Sequence, residues 1–311
     1  MLGRTKWKTS KAGALALALS IALLLGACTR SSVPAPTAIT ALPLTTLAQQ
    51  STSAAETQAL TTPAVIPVPT SYAVVWVEEG GKLSLRDPAG IAGTEVQVLS
   101  STQTGLVPTG KNTLLGSSLW YEISLEDGRT GWVNGWNITE EVSGSDFCAD
   151  PRIPALLGAF VQSIAGSDGQ LLELLVSPRH GLNVRHDWNN PEVNFPREQA
   201  VSLFLDDTLL QWGVRPGSGF RIDGPFREAI LPQLEQVLSK ASEIVCNRLR
   251  WGPTKGEVLW PEEYHNLNFY AFYRPAAEGR SPYDWGTWAV GVEYVDGVPY
   301  LTVLVGYRSE L

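Results

Sequence analysis

The chain has 311 residues, 44% of them hydrophobic, and carries 23 Lys and Arg against 31 Asp and Glu, a net charge of −8. So acidic a chain is a poor partner for nucleic acid or for anionic lipid headgroups. Three histidines and three cysteines leave little material for a histidine-rich metal centre.

The chain opens on a basic stretch with Arg4, Lys6, Lys8 and Lys11, followed by an apolar run from Ala12 to Leu25. That order is the basic and apolar regions of an export signal. The run is shorter than the ~20 apolar residues of a membrane-spanning helix. It ends in Leu25-Gly26-Ala27-Cys28, which resembles the lipobox of bacterial lipoproteins. The resemblance implies cleavage after residue 27 and an acyl anchor on Cys28; the alternative is an ordinary signal with an incidental cysteine. Lipid on Cys28 leaves Cys148 and Cys246 as an even pair in an oxidising compartment, so a Cys148–Cys246 disulfide is expected, with two buried free thiols as the alternative. Residues 28–70 are rich in Ser, Thr, Ala and Pro, with almost no aromatic or charged residues. Such a segment buries too little apolar surface to offset its ordering entropy and reads as a disordered tether.

From residue 71 to 143 the chain reads as short strands and turns. Strands are expected at Val74–Val77, Leu83–Arg86, Thr94–Leu99, Leu119–Leu125 and from Thr130. Asp127-Gly128 is a hairpin signal, and Ser100–Ser118 reads as a long Gly/Thr/Ser-rich loop. Three blocks carry a family resemblance: Leu83-Ser84-Leu85-Arg86-Asp87-Pro88-Ala89-Gly90, Trp120-Tyr121-Glu122-Ile123 and Asp127-Gly128-Arg129-Thr130-Gly131-Trp132-Val133. They resemble, in this order, the bacterial SH3 domain family, over about a quarter of the chain. The resemblance implies a small all-β barrel that binds cell-wall peptide or another envelope ligand. In such barrels ligands meet exposed aromatics between loops. Trp132, Leu85 and Ile123 are assigned to the core. Trp136 and Tyr121 are the candidate binding aromatics, with Asp87 as a polar contact nearby.

Residues 146–311 read as an α+β domain with a mostly antiparallel sheet. Helices are expected at Ile153–Ala165, at Asp168–Val176 behind a Ser167 or Asp168 cap, at Pro196–Leu205, and from Pro225, where Pro232 kinks or delays the start. Strands are expected at Gly181–His186, Leu209–Val214 and Asn268–Tyr273, while Ile244–Leu249 continues a helix or forms a strand. Thr287–Val295 and Val298–Tyr307 flank Asp296-Gly297, a type I′ hairpin signature. Helices before strands weakly resembles the NTF2-like cone, by element order alone.

Catalytic patterns are sparse. There is no His-Glu-x-x-His, no Gly-x-Ser-x-Gly and no Gly-rich phosphate loop, and a cysteine peptidase lacks a free cysteine. His180, His186 and Asp187 flank one predicted strand. At six residues apart the histidines face one side but lie ~20 Å apart, too far to share a metal, and read as solvated strand ends. Glu262 and Glu263 sit in a Pro-containing loop and read as solvated. The aromatics of this half, among them Trp188, Trp212, Trp251, Trp260, Trp285 and Trp288, form a core and rim, or line a pocket or glycan-stacking surface.

The sequence thus reads as a multidomain, membrane-anchored extracytoplasmic lipoprotein, with a non-catalytic SH3-like domain ahead of an α+β domain. Its partners are the membrane, through the lipid, and peptidoglycan or an envelope protein, not nucleic acid. No cofactor, metal or catalytic residue is assigned. The alternatives are an envelope enzyme with its site in a C-terminal pocket and a structural adaptor.

Overall fold

The structure is a computed structural model that describes residues 70–309 apart from Pro216. The export signal, Cys28 and the tether lie outside the described residues. Those that are described belong to one compact unit, 61–311. They are mostly β, in several sheets with largely antiparallel pairing and few helices.

The N-terminal strands are β1 (Tyr72–Val74), β2 (Lys82–Asp87), β3 (Thr94–Ser100), β4 (Val107–Leu115), β5 (Ser118–Ser124), β6 (Thr130–Asn134) and β7 (Ile138–Glu140). Five of them form one sheet in the order β3-β2-β6-β5-β4, and β1 pairs with β7. The sheet ends on β3 and β4, which do not pair with each other, so its hydrogen bonds do not close into a barrel. Leu85 and Ile123 are fully buried as expected.

Two expectations are corrected here. Trp132 is only half-buried, and the core position belongs to Val133. The register explains this: Trp132 lies opposite Glu122, whereas Val133 lies opposite Tyr121 and Gly131 opposite Ile123. Alternation then puts Trp132 on the face away from the core. The Ser100–Ser118 segment is not one long loop, because about half of it is β4. Nearly every residue of β4 is exposed, so neither face carries the alternation that marks a half-buried strand. A bulge between Pro108 and Asn112 blurs the pattern further.

The C-terminal half begins with α1 (Gly144–Ala149), α2 (Arg152–Gly166) and α3 (Gly169–Leu175). The Asp168 side chain accepts from the Leu171 amide at 3.0 Å and caps α3. Strands β8 (Leu182–Arg185) and β9 (Val193–Phe195) follow, then β10 (Leu210–Val214), β11 (Arg221–Gly224), α4 (Phe226–Ala229), α5 (Leu231–Leu238), β12 (Glu243–Cys246), β13 (Asn268–Arg274), β14 (Gly286–Val295) and β15 (Val298–Arg308). The helix expected over 196–205 is a 3₁₀ turn at Arg197–Ser202. Pro232 starts α5 in its first turn, where its missing N–H costs nothing.

A six-stranded sheet runs β12-β13-β14-β15-β8-β9 and is antiparallel except where β15 meets β8. Asp296 and Gly297 both have positive φ, 52° and 72°, as a type I′ turn requires. One sheet face packs on the helices through Leu182, Val184, Trp288, Val290 and Leu304. The other face packs through Ala271, Ala289, Val303 and Val305 on a layer that includes Val75, just past β1. Cys148 of α1 and Cys246 of β12 form a disulfide with a sequence separation of 98. In the chain-entropy picture a loop that long contributes about 4–5 kcal/mol. Among the described residues no helix is long and apolar enough to cross a membrane.

Candidate ligand groove

The groove grows from the end of the β5–β6 hairpin. After β6 the chain makes a single 3₁₀ turn, Gly135–Asn137, whose second amide is capped by the Asn134 side chain: the Trp136 N–H donates to Asn134 Oδ1 at 3.0 Å. A Cβ at residue 135 would fall 2.7 Å from the Tyr121 ring, so only glycine lets that ring lie against the turn. The turn leaves the Trp136 side chain 42% exposed while its backbone is fixed.

The second wall comes from the C-terminal half, from the loop between α3 and β8. Ser177 Oγ accepts from the backbone amides of Arg179 and His180 at 3.0 and 3.2 Å. This fixes the direction of the next two side chains. The Arg179 guanidinium lies over the rings of Tyr121 and Tyr72, 5.4 and 5.7 Å from their centroids. Its Nη2 donates to the Tyr121 hydroxyl at 3.3 Å. Tyr121, Asn134, Trp136 and Arg179 together line a groove of ≈ 470 Å³, with Leu119 and Ser118 at its margin. Two of the three residues singled out from the sequence, Trp136 and Tyr121, therefore meet in one concavity. The third, Asp87, is exposed at the end of β2 and does not line it.

His180 underpins this wall and is buried, not solvated, at 1% exposure. Its ring stacks on Trp76 at 4.1 Å and meets Trp136 edge-on at 5.0 Å. Nδ1 faces Glu293 Oε2 at 2.6 Å, and Nε2 donates to the Trp136 carbonyl at 3.0 Å. Burial alone would push the Glu293 carboxyl up, but His180, with help from Ser177 and Arg179, holds it below the usual carboxylate range. The Ser177, His180 and Glu293 side chains resemble a hydrolytic triad in composition only. Nε2, the atom that would activate a nucleophile, is spent on a backbone carbonyl.

The far end of β8 is built differently. His186 and His180 do not face one side. Gly181, with φ of 67°, interrupts the alternation between them. His186 is buried against α5, where its Nε2 accepts from Gln233 Nε2 at 3.3 Å. Burial, with Arg308 and Arg215 nearby, pushes its pKa down to about 3, so it is neutral. Asp187 is equally buried and pairs with Lys255 at 3.0 Å. Glu263 is not a solvated loop residue either: it forms a half-buried ion pair with Arg185. Arg185 also donates to the Tyr264 hydroxyl at 3.1 Å, and that hydroxyl donates to Glu192. Burial raises the Glu192 carboxyl, and burial together with Glu192 raises the Tyr264 phenol far above its ordinary range.

Of the C-terminal aromatics, Trp212, Trp285 and Trp288 are core. Trp251 is 40% exposed and lines a shallow surface groove of ≈ 570 Å³ with Trp260. Among the described residues no group of three or more His, Cys, Asp or Glu is placed to hold a metal ion. Arg179 was missed by sequence reasoning, since nothing in Ser177-Pro178-Arg179-His180 announces that its guanidinium meets two tyrosines of a distant segment. Comparison of the chain with protein-family models, with curated proteins and with solved structures finds no match.

Proposed function

We propose that this chain is a lipid-anchored extracytoplasmic protein whose N-terminal β region is an SH3-like domain of the bacterial type, binding cell-wall peptide in the Trp136–Tyr121 groove without catalysis. The observation that carries the reading is Trp136, a large aromatic held exposed by a capped backbone turn beside an open groove. Exposed, rigidly mounted aromatics supply contact area at low entropic cost on binding. The three sequence blocks that resemble the bacterial SH3 family support the assignment, and so does the disulfide, which suits an oxidising compartment. The C-terminal half is read as a cone of the NTF2-like kind, supported by helices before strands and by the one parallel pairing, β8 with β15, in an otherwise antiparallel sheet. In this reading it serves as a platform that completes the groove.

The test is co-sedimentation of the exported chain with purified cell wall. Wild type is expected to sediment, and Trp136→Ala to remain in solution with an unchanged circular dichroism spectrum. Equal sedimentation of the two removes Trp136 from the site, and no sedimentation of wild type removes the wall-binding reading. For the anchor, mass spectrometry of the N-terminal peptide is expected to find acyl chains on Cys28; an unmodified, uncleaved peptide rules the anchor out.

A further inference from the structure

Arg179 is the one charged residue that lines the groove, and the aromatic reading does not use its charge. Its guanidinium is half-buried, yet among the described residues it forms no salt bridge, and its Nη1 is buried with no hydrogen-bond acceptor. A buried cation is ordinarily paired with a carboxylate, because desolvating an unpaired charge is costly. The same chain obeys that rule six residues later, where Arg185 is paired with Glu263. Around Arg179 the nearby Glu293 is hydrogen-bonded to His180 and acts on the guanidinium only through space, as Glu140 does, so no carboxylate meets it directly. What holds it in place is the faces of Tyr72 and Tyr121 and the Tyr121 hydroxyl, which attract a cation but do not neutralise it. The site is thus a positive point at one end of an aromatic groove, on a chain with net charge −8.

We infer that the groove takes its ligand by a carboxylate, with Arg179 as the counter-ion and Trp136 as the platform for the adjoining peptide. This rests on the reading of the groove as the wall-peptide site. A carboxylate laid along the groove meets the planar fork of the guanidinium, and turning the arginine between the two rings, at the expense of its long Nη2 bond to the Tyr121 hydroxyl, brings Nη1 to it. Binding then satisfies a donor that the free protein leaves unpaired, so affinity comes with selectivity for the anion over its neutral amide. The groove joins two segments of the chain: Tyr121, Asn134 and Trp136 come from the N-terminal sheet, and Arg179 from the loop before β8. The N-terminal strands alone would therefore lack the anion subsite.

The experiment compares purified cell wall with the same wall after its carboxyls have been converted to amides by carbodiimide and ammonia, using the exported chain in both arms. Amidation is expected to weaken wild-type binding about 10- to 100-fold, the range of one charge-assisted hydrogen-bonded contact. Arg179→Met is expected to lose as much on untreated wall and to be indifferent to amidation, while Arg179→Lys recovers part of the loss. The amidation arm uses unaltered protein, so it stands even if a variant folds poorly. Equal wild-type binding to both walls, with Trp136→Ala weakening both, keeps the groove and overturns the carboxylate. An Arg179→Met variant that remains sensitive to amidation places the carboxylate elsewhere and also overturns it. If wild type binds neither wall, the wall-peptide reading falls and the inference falls with it.

Discussion

Strand β8 is flanked by the same dipeptide at both ends, Arg179-His180 before it and Arg185-His186 at its close, and the chain uses the two copies in opposite ways. At the far end each charge is answered from within: Arg185 by Glu263, Asp187 by Lys255, with Tyr264 and Glu192 completing a buried network. At the near end the histidine is fully engaged, by Glu293 and the Trp136 carbonyl, while the arginine beside it is held by two tyrosine rings and one tyrosine hydroxyl, with no carboxylate in contact. The first arrangement is what a fold needs to tolerate buried charge. The second leaves a charge over for something outside the fold. Identical side chains thus become structural or ligand-seeking according to whether the surrounding elements deliver a carboxylate.

Glu263→Ala tests the closed end most severely. It leaves Arg185 in place without its carboxylate, and removing one partner of a buried pair costs about 3–5 kcal/mol. Partial exposure of both side chains, 17% for Arg185 and 16% for Glu263, puts the expectation at the lower end of that range. Urea denaturation gives the number directly. A loss below about 1 kcal/mol would show that solvent, not Glu263, neutralises Arg185, and the contrast between the two ends would dissolve.

The next effect is read in pH. His186 has a folded pKa of about 3 against an ordinary value of 6.5. A base whose pKa is depressed by folding binds its proton more readily in the unfolded chain. Its contribution is therefore fully present above pH 6.5 and is lost as pH falls from 6.5 toward 3, at about 1.4 kcal/mol per pH unit. Between pH 6.5 and 4.5 the wild type is expected to lose about 2–3 kcal/mol more than His186→Asn, which keeps a group able to accept from Gln233 but has no proton to gain. Parallel stability–pH curves for the two proteins would mean that His186 takes up its proton in place.

How much of this was legible in the sequence follows from how local each signal is. The Asp127-Gly128 and Asp296-Gly297 hairpins, the face of α2 and the Asp168 cap are set by residues within a few positions of one another, and they stand where the pattern put them. The pairing of Cys148 with Cys246 followed from counting. Strand β4 was invisible because both its faces meet solvent. The parity of Trp132 failed because alternation says that neighbours differ, not which of them is inside; cross-strand register decides that. The two histidines were misplaced by one glycine, since Gly181 in the left-handed region reverses a face assignment that six-residue spacing implies. For the groove, Trp136 was singled out as lying just past a strand and Tyr121 as one of two strand neighbours that point to opposite faces, but Arg179 joins Tyr121 across 58 positions, a distance over which no local pattern carries information.

The smallest expected effect concerns the open end and decides the comparison. Arg179→Met removes two cation–π contacts, each worth about 0.5–1 kcal/mol at a site still reached by water, and the hydrogen bond to Tyr121. It also removes an unpaired, partly desolvated charge and a buried N–H without an acceptor, which cost the fold a similar amount. The thioether that replaces the guanidinium sits well between aromatic faces and fills most of the same space. These terms nearly cancel, so the midpoint of urea denaturation is expected to move by less than about 1 kcal/mol, in either direction, while Glu263→Ala moves by several. A fold that barely registers the loss of a half-buried arginine is one that does not use it for stability. Should Arg179→Met instead cost 3 kcal/mol or more, Arg179 would be a structural clamp between the two halves of the chain, the equivalence of the two Arg-His pairs would be restored, and the groove would lose its anion subsite.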